Sequence, residues 1–261
     1  MATQSFAKIK ETPVVEIEAQ AEVVEPQAAA PVEVKQELAA QEPKQELATA
    51  APVSHTPAGI EGEIERSDVK LPRINLVQKM SDMVNAGFKS GDLVYNREIA
   101  LDKPATVVVV KLKKQYQQDL PYGGDQMPHV CDTLAEVREA GGTIEWGGEN
   151  HYSEMAHLQL LVKAPADLPD ELEDLFPYSI GGESWAPAMF TVAKSAYKSA
   201  AKPVITAAFS TLRGGLQHGL WQLSTEGKKN AMGSWDVPIM KLVGKTTPEL
   251  AELVATLNES A

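Results

Sequence analysis

"KPATVVVVKLKKQY", residues 103–116, is the stretch that sets the expected fold. Its four successive valines, Val107–Val110, favour a buried pleated strand, because β-branched side chains lose χ1 freedom in a helix and pack well on a sheet. Past Val110 the pattern opens to Lys111, Lys113 and Lys114. The same strand should therefore run out of the core and present cations at its far end.

Three more segments carry strand patterning. "LPRINLVQKMS" (71–81) follows a proline, "EMAHLQLLVKAP" (154–165) stops at Pro165, and "LWQLSTEGKKNAMGSWDVPIMKLVG" (220–244) reads as a hairpin. In the hairpin Trp221 and Leu223 alternate inward on one arm, and Trp235, Val237 and Ile239 on the other, around a polar turn that contains glycine. Helices are fewer. "CDTLAEVREAGG" offers Asp132 or Thr133 as cap and Gly141 as stop; "TTPELAELVATLN" offers a capping box from Thr246 and Glu249, with Pro248 early in the helix. From about Ser195 to Leu212 apolar residues recur at steps of three and four, which predicts a third helix that Pro203 kinks or restarts. The expected class is mainly β with a few helices.

Residues 1–65 are rich in Ala, Glu, Pro, Gln and Val, hold neither Trp nor Tyr, and repeat "KQELA" at 35–39 and 44–48. That composition cannot bury enough apolar surface to offset chain entropy, so a disordered acidic tail over 1–65 is expected ahead of a folded domain over 66–261. The tail's twelve acidic and four basic residues supply most of the formal net charge of −12. Within 66–261 the charge is uneven: residues 66–116 hold ten basic and five acidic groups, 117–185 hold two and fourteen, and 186–261 hold eight and five. An acidic insert over about 117–185 thus separates two basic segments, a polarity that steers an anionic partner to one surface.

No apolar run approaches the roughly 18–20 residues that span a bilayer, and "MATQSFAKIKETPVVE" lacks the apolar segment of a secretory signal. A cytoplasmic protein without membrane contact is expected. The single cysteine, Cys131, cannot form an internal disulfide, and it falls with the five histidines at no zinc-ligand spacing. No metal or other cofactor is expected.

"FTVAKSAYKSAAKPV" (190–204) sets Lys194, Lys198 and Lys202 at steps of four, on one face of the predicted helix. Like charges at that spacing cost a few tenths of a kcal/mol per pair, so the stripe is either a solvated face or the seat of an anion. Two further clusters favour the anion: Lys111, Lys113 and Lys114 beside Tyr116, and Lys228 and Lys229 in the hairpin turn. Cations that neutralise phosphates and rings that stack on bases are what a single strand of nucleic acid needs, and Tyr116 and Tyr197 are the rings beside lysines. Arg213, followed by two glycines, is either a phosphate ligand or part of a helix C-cap. The remaining glycine pairs form neither a P-loop nor a dinucleotide-binding fingerprint and read as turns.

The order strand, long strand, insert, strand, basic helix, hairpin and terminal helix over 71–255 resembles the bacteriophage-type single-stranded DNA-binding proteins. The likeness rests on the lysine-bearing strand 106–116, "KSAYKSAAK" (194–202) and "WQLSTEGKKNAMGSW" (221–235). It implies an OB-like β-barrel and a non-catalytic role in replication or recombination. Lys111, Lys113, Lys114, Lys194, Lys198, Lys202, Arg213, Lys228 and Lys229 would sit on phosphates, and Tyr116 and Tyr197 on bases. Such proteins commonly end in an acidic tail, whereas this chain carries its acidic tail at the other end. The resemblance then implies that residues 1–65 recruit replication or recombination proteins. Further copies of the chain are also expected partners, and the setting is the host cytoplasm if the chain is viral.

Two rival classes stand beside it. A structural or virion-type assembly protein would use the tail and the acidic insert for protein contacts. A metal-dependent nuclease would use the carboxylates of 145–183, which lack the alternating spacing of a calcium loop.

Overall fold

The computed structural model describes residues 70–121, 126–231 and 233–259. The tail predicted over 1–65 lies outside the described residues.

The valine-rich segment is the long strand that the sequence predicts. β4 runs Ala105–Gln118, two residues past the expected end, and pairs antiparallel with β6 (Tyr152–Lys163) from Val107↔Val162 to Gln118↔Tyr152. β8 (Glu183–Ala193) continues the sheet beside β6, and β7 (Tyr178–Ile180) ends it. On the other side of β4 lie β9 (Gly219–Asn230), paired over Ala105–Val108, and, farther along the same edge, β5 (Val130–Cys131). β10 (Gly233–Lys245) completes the expected hairpin with β9. The order is β10-β9-β4-β6-β8-β7. A second, three-stranded sheet comprises β1 (Ile74–Leu76), β2 (Leu93–Tyr95) and β3 (Ile99–Ala100), so only a short part of 71–81 is strand.

The class is mainly β, as expected, but the sheets do not close into the expected OB-like barrel. Closure requires the first and last strands to pair. Here the outer edge of β10 meets a side chain: Gln78 Nε2 donates to Asp236 O at 2.8 Å, and Asp236 N donates to Gln78 Oε1 at 3.0 Å. One amide imitates one rung of a ladder, which blunts an edge that would otherwise be open to pairing. Nor are residues 117–185 an insertion, because they contain β6, hydrogen-bonded on both sides at the centre of the sheet.

Alternation along the strands builds two layers of core. Val107, Val109, Leu158, Leu160, Val162, Ala188 and Phe190 face the small sheet and a helical run, where Leu93, Tyr95, Tyr197 and Val204 meet them. Val108, Val110, Leu161 and Trp185 face the opposite way, under Leu250 and Val254 of α4 (Pro248–Glu259). Each such side chain, fully buried, contributes about 1.5–3 kcal/mol. On the hairpin, Trp221, Leu223 and Val237 are buried as expected; Trp235 and Ile239 are only half-buried, and Met240 takes the inner place.

α1 (Leu134–Glu139) is capped as predicted: Thr133 Oγ1 accepts from Glu136 N at 3.2 Å, and Glu136 Oε2 accepts from Asp132 N at 2.9 Å. The cap of α4 is Thr247, whose Oγ1 accepts from Leu250 N at 3.3 Å; the expected Thr246 instead donates to Gln217 O at 2.7 Å. Proline takes the first helical position of α4, where its missing N–H costs nothing.

The lysine-bearing helix is continuous but irregular. α2 (Lys194–Ala196) and α3 (Lys202–Ser210) are joined by a π turn over Tyr197–Ala201. Pro203 accounts for the irregularity: its ring would clash with the carbonyl of Ser199, and the wider turn relieves that contact. Ser199 Oγ also donates to Pro238 O at 2.7 Å, which ties the turn to β10.

Candidate nucleic-acid interface

The basic run of β4 does not act as one cluster, because side chains alternate across a strand. Lys114 points to the side of the helical run, while Lys111 and Lys113 lie on the opposite face, with Leu112 packed into the core between them.

On the helix side the lysines are already paired. Lys114 Nζ lies 2.7 Å from Glu154 Oε1, and Lys202 Nζ lies 3.6 Å from Glu154 Oε2. Lys194, at the junction of β8 and α2, reaches Asp119 at 3.0 Å from a left-handed backbone (φ 55°) that a long side chain rarely adopts. Asp119 also accepts from Ser153 Oγ at 2.5 Å and lies 2.8 Å from His151 Nδ1. Burial disfavours the charge on Lys114, but hydrogen bonds to Glu154 and Tyr116 outweigh it and keep the ammonium protonated well above the usual lysine range. Burial likewise disfavours the charges of Glu154 and Asp119. Lys114 and Lys202 outweigh it for Glu154, and Ser153, Lys194 and His151 for Asp119, so both carboxyls lie below their ordinary values. The acidic stretch thus supplies ion-pair partners to Lys114, Lys194 and Lys202 from the basic segments that flank it in sequence.

The two tyrosines expected to stack on bases are inside this cluster. Tyr197 is 2% exposed and Tyr116 is 6% exposed. Lys114 Nζ sits 4.9 Å from the Tyr116 ring centroid and 5.6 Å from that of Tyr197, and Lys202 lies 5.9 Å from the Tyr197 ring. The rings seat ammonium groups and offer no open face to a base. Of the stripe, Lys198 alone is exposed without an ion pair among the described residues. Arg213 is exposed in the turn after α3, where Gly215 (φ 114°) donates to Leu212 O at 3.0 Å. Lys228 and Lys229 are exposed on the β9–β10 hairpin.

The opposite face of the sheet assembles a site that the sequence did not advertise. Register places Lys111, Gln159, Met189 and Arg73 in one row across β4, β6, β8 and the segment leading into β1, and Lys113, His157 and Thr191 in the next. At about 4.8 Å per strand the first row spans roughly 14 Å. Lys111, Lys113, Thr191 and Arg73 are exposed, and Gln159, His157 and Met189 are half-buried. α4 packs on the sheet as far as Val110 and Leu161, so among the described residues these rows are left open. Burial, then the charges of Lys113 and Arg73, hold the His157 imidazole below its ordinary range, while His157 Nδ1 and Thr191 Oγ1 lie 2.8 Å apart. Among the described residues Asp132 is the carboxylate that meets this site, 3.0 Å from Lys113 and hydrogen-bonded by Gln115 at 2.6 Å, and Lys111 and Arg73 have no ion pair. Cations at both margins with amide, imidazole and hydroxyl groups between them can hold a phosphodiester backbone.

Arg73 enters this site through the backbone: Met189 N donates to Pro72 O at 2.7 Å. Its only sequence signal is the arginine directly after a proline at a strand start. Among the described residues no group of three or more His, Cys, Asp or Glu is placed to hold a metal ion. Cys131 is buried, and burial pushes its thiol pKa up.

A family model described as "Pam3 phage gp34-like protein" matches residues 42–261, well over half of the chain. The chain belongs to the Pam3 phage gp34-like family. That places it among phage proteins, as the resemblance implied, and the family description names no activity. No curated protein and no solved structure matches. Among the described residues of this family member, no helix is long and apolar enough to cross a membrane.

Proposed function

We propose that the chain is a non-catalytic phage protein that binds single-stranded nucleic acid, in replication or recombination, across the open face of β4, β6 and β8. The observation that carries this reading is the pair of adjoining rows in which Lys111, Lys113 and Arg73 surround His157 on an uncovered sheet surface. Arg73 and Lys111 hold phosphates, and Lys113 holds a third by giving up its exposed pair with Asp132. Gln159, His157 and Thr191 offer hydrogen bonds between them. Lys114, Lys194 and Lys202 serve the fold through Glu154 and Asp119, and Tyr116 and Tyr197 support them from beneath.

The test is fluorescence anisotropy of the full chain with a labelled single-stranded oligonucleotide in a salt series, with duplex as control. Three phosphate contacts on a single strand give a slope of log K against log salt of about −2. Absence of binding at low salt, or equal binding to duplex, would contradict the proposal. A structural or assembly role is the second reading, favoured by the exposed apolar pair Ile144 and Trp146, 46% and 92% accessible, on the loop before β6.

A further inference from the structure

The two ends of the β4–β6 ladder carry opposite charge, and both carry exposed apolar side chains. Beyond Gln118 and Tyr152, the loop between α1 and β6 holds Trp146 and Ile144, 92% and 46% exposed, with exposed Glu145 and Glu149 on either side of the tryptophan. At the other end, β9 and β10 run past the last pairing with β4, Ala105↔Leu223, as a two-stranded ribbon with Lys228 and Lys229 exposed. Lys79 Nζ donates to Ser234 Oγ of that ribbon at 2.6 Å, and Met80 beside it is 99% exposed. The length of β4 sets the ends roughly 40 Å apart at about 3.3 Å per residue.

We infer that these ends are the two halves of one contact between copies of this chain. The acidic Trp146 loop of one copy docks on the basic end, Lys79, Lys228 and Lys229, of the next. Charge complementarity identifies the occupant: glutamates stand on either side of Trp146 at one end, and at the other Lys79 adjoins Met80 and bonds the ribbon that carries Lys228 and Lys229. Of the carboxylates near the basic end, Asp82 is paired with Arg97 at 3.4 Å, which leaves Glu226 and Asp236, the latter hydrogen-bonded by the neutral Ser90 Oγ at 2.6 Å, against three lysines. The separation forbids one copy from satisfying its own ends, so the contact is heterologous and adds copies in series. A tryptophan in a desolvated position is the kind of side chain that dominates such a contact. This inference uses neither Arg73 nor Lys111 and is independent of nucleic-acid binding.

Sedimentation velocity of the full chain, without nucleic acid and over a range of salt, tests it. The expected result is concentration-dependent association beyond a dimer at low salt, weakened by salt and reduced roughly tenfold or more by Trp146→Ala. E145K/E149K and K228E/K229E should each be monomeric, and an equimolar mixture should associate again, because both the native contact and the charge-swapped one between the two variants are complementary. All four charge positions are exposed, and circular dichroism verifies that each variant folds. A wild-type chain that stays monomeric at low salt overturns the inference. So do charge variants that associate like wild type, and a mixture that stays monomeric.

Discussion

Lys114 and Glu154 face each other at 2.7 Å across β4 and β6, and the second oxygen of the same carboxylate lies 3.6 Å from Lys202 on α3. One glutamate therefore pairs with two cations that sequence alone assigns to an anionic ligand. Beneath them Tyr197 is buried, and burial together with the charge on Glu154 pushes its phenol pKa up.

Removing that carboxylate leaves two ammonium groups beside a buried ring. Glu154→Gln should lower stability by about 1–2 kcal/mol, less than a fully buried pair would lose because both lysines keep solvent contact. Lys198→Ala should change it by no more than about 0.5 kcal/mol. Urea midpoints at neutral pH check both, with an unchanged m-value showing that the unfolding reaction is the same.

Acid should remove the same stabilisation. Glu154 and Asp119 have carboxyl pKa values lowered in the folded state, so at low pH the unfolded chain binds more protons than the folded one. Their contribution is present above the unfolded values, about 4, and is lost as pH falls through the folded ones. A plot of melting temperature against pH should fall below about pH 4 more steeply in the wild type than in Asp119→Asn/Glu154→Gln.

His157 gives a separate window. Its folded pKa is lowered by burial, Lys113 and Arg73, so the folded state resists its protonation. Stability should decline as pH falls below about 6.5, the ordinary histidine value, and level off below the folded one. His157→Gln should flatten that decline, and an unaltered profile would show that the imidazole does not titrate against the two cations.

The sheet was largely legible because its signals are local. The valine run, the alternation about Trp221 and Leu223, and the Thr133 cap each report on their own neighbours. The candidate site was not, because it depends on which face and which strand a residue reaches. Lys113 and Lys114 are adjacent in sequence, yet a period of two sends them to opposite faces. Tyr116 and Tyr197 stand beside lysines along the chain, which says nothing about burial, and both prove to be covered. The acidic stretch suggested repulsion until register brought Glu154 against Lys114. Arg73 lies 116 residues from Met189, and only the bridge between them puts it in the row. The barrel failed for a similar reason: a glutamine side chain, which no strand pattern records, occupies the edge of β10.

That glutamine carries its own prediction. Gln78→Ala removes two part-buried hydrogen bonds to Asp236 and should cost about 1–2 kcal/mol. Hydrogen exchange should show faster exchange at the Asp236 amide while the amides of the β4–β6 ladder keep their protection.

The central claim concerns which face of the sheet meets a phosphate backbone. Anisotropy titrations of R73E/K111E and of K198E with the same single-stranded oligonucleotide compare the open face with the helix stripe directly. The account predicts that R73E/K111E loses most of the affinity and that K198E binds nearly as the wild type does, with a salt slope still near −2. Loss in K198E with binding retained in R73E/K111E would return the site to the helix and contradict the account.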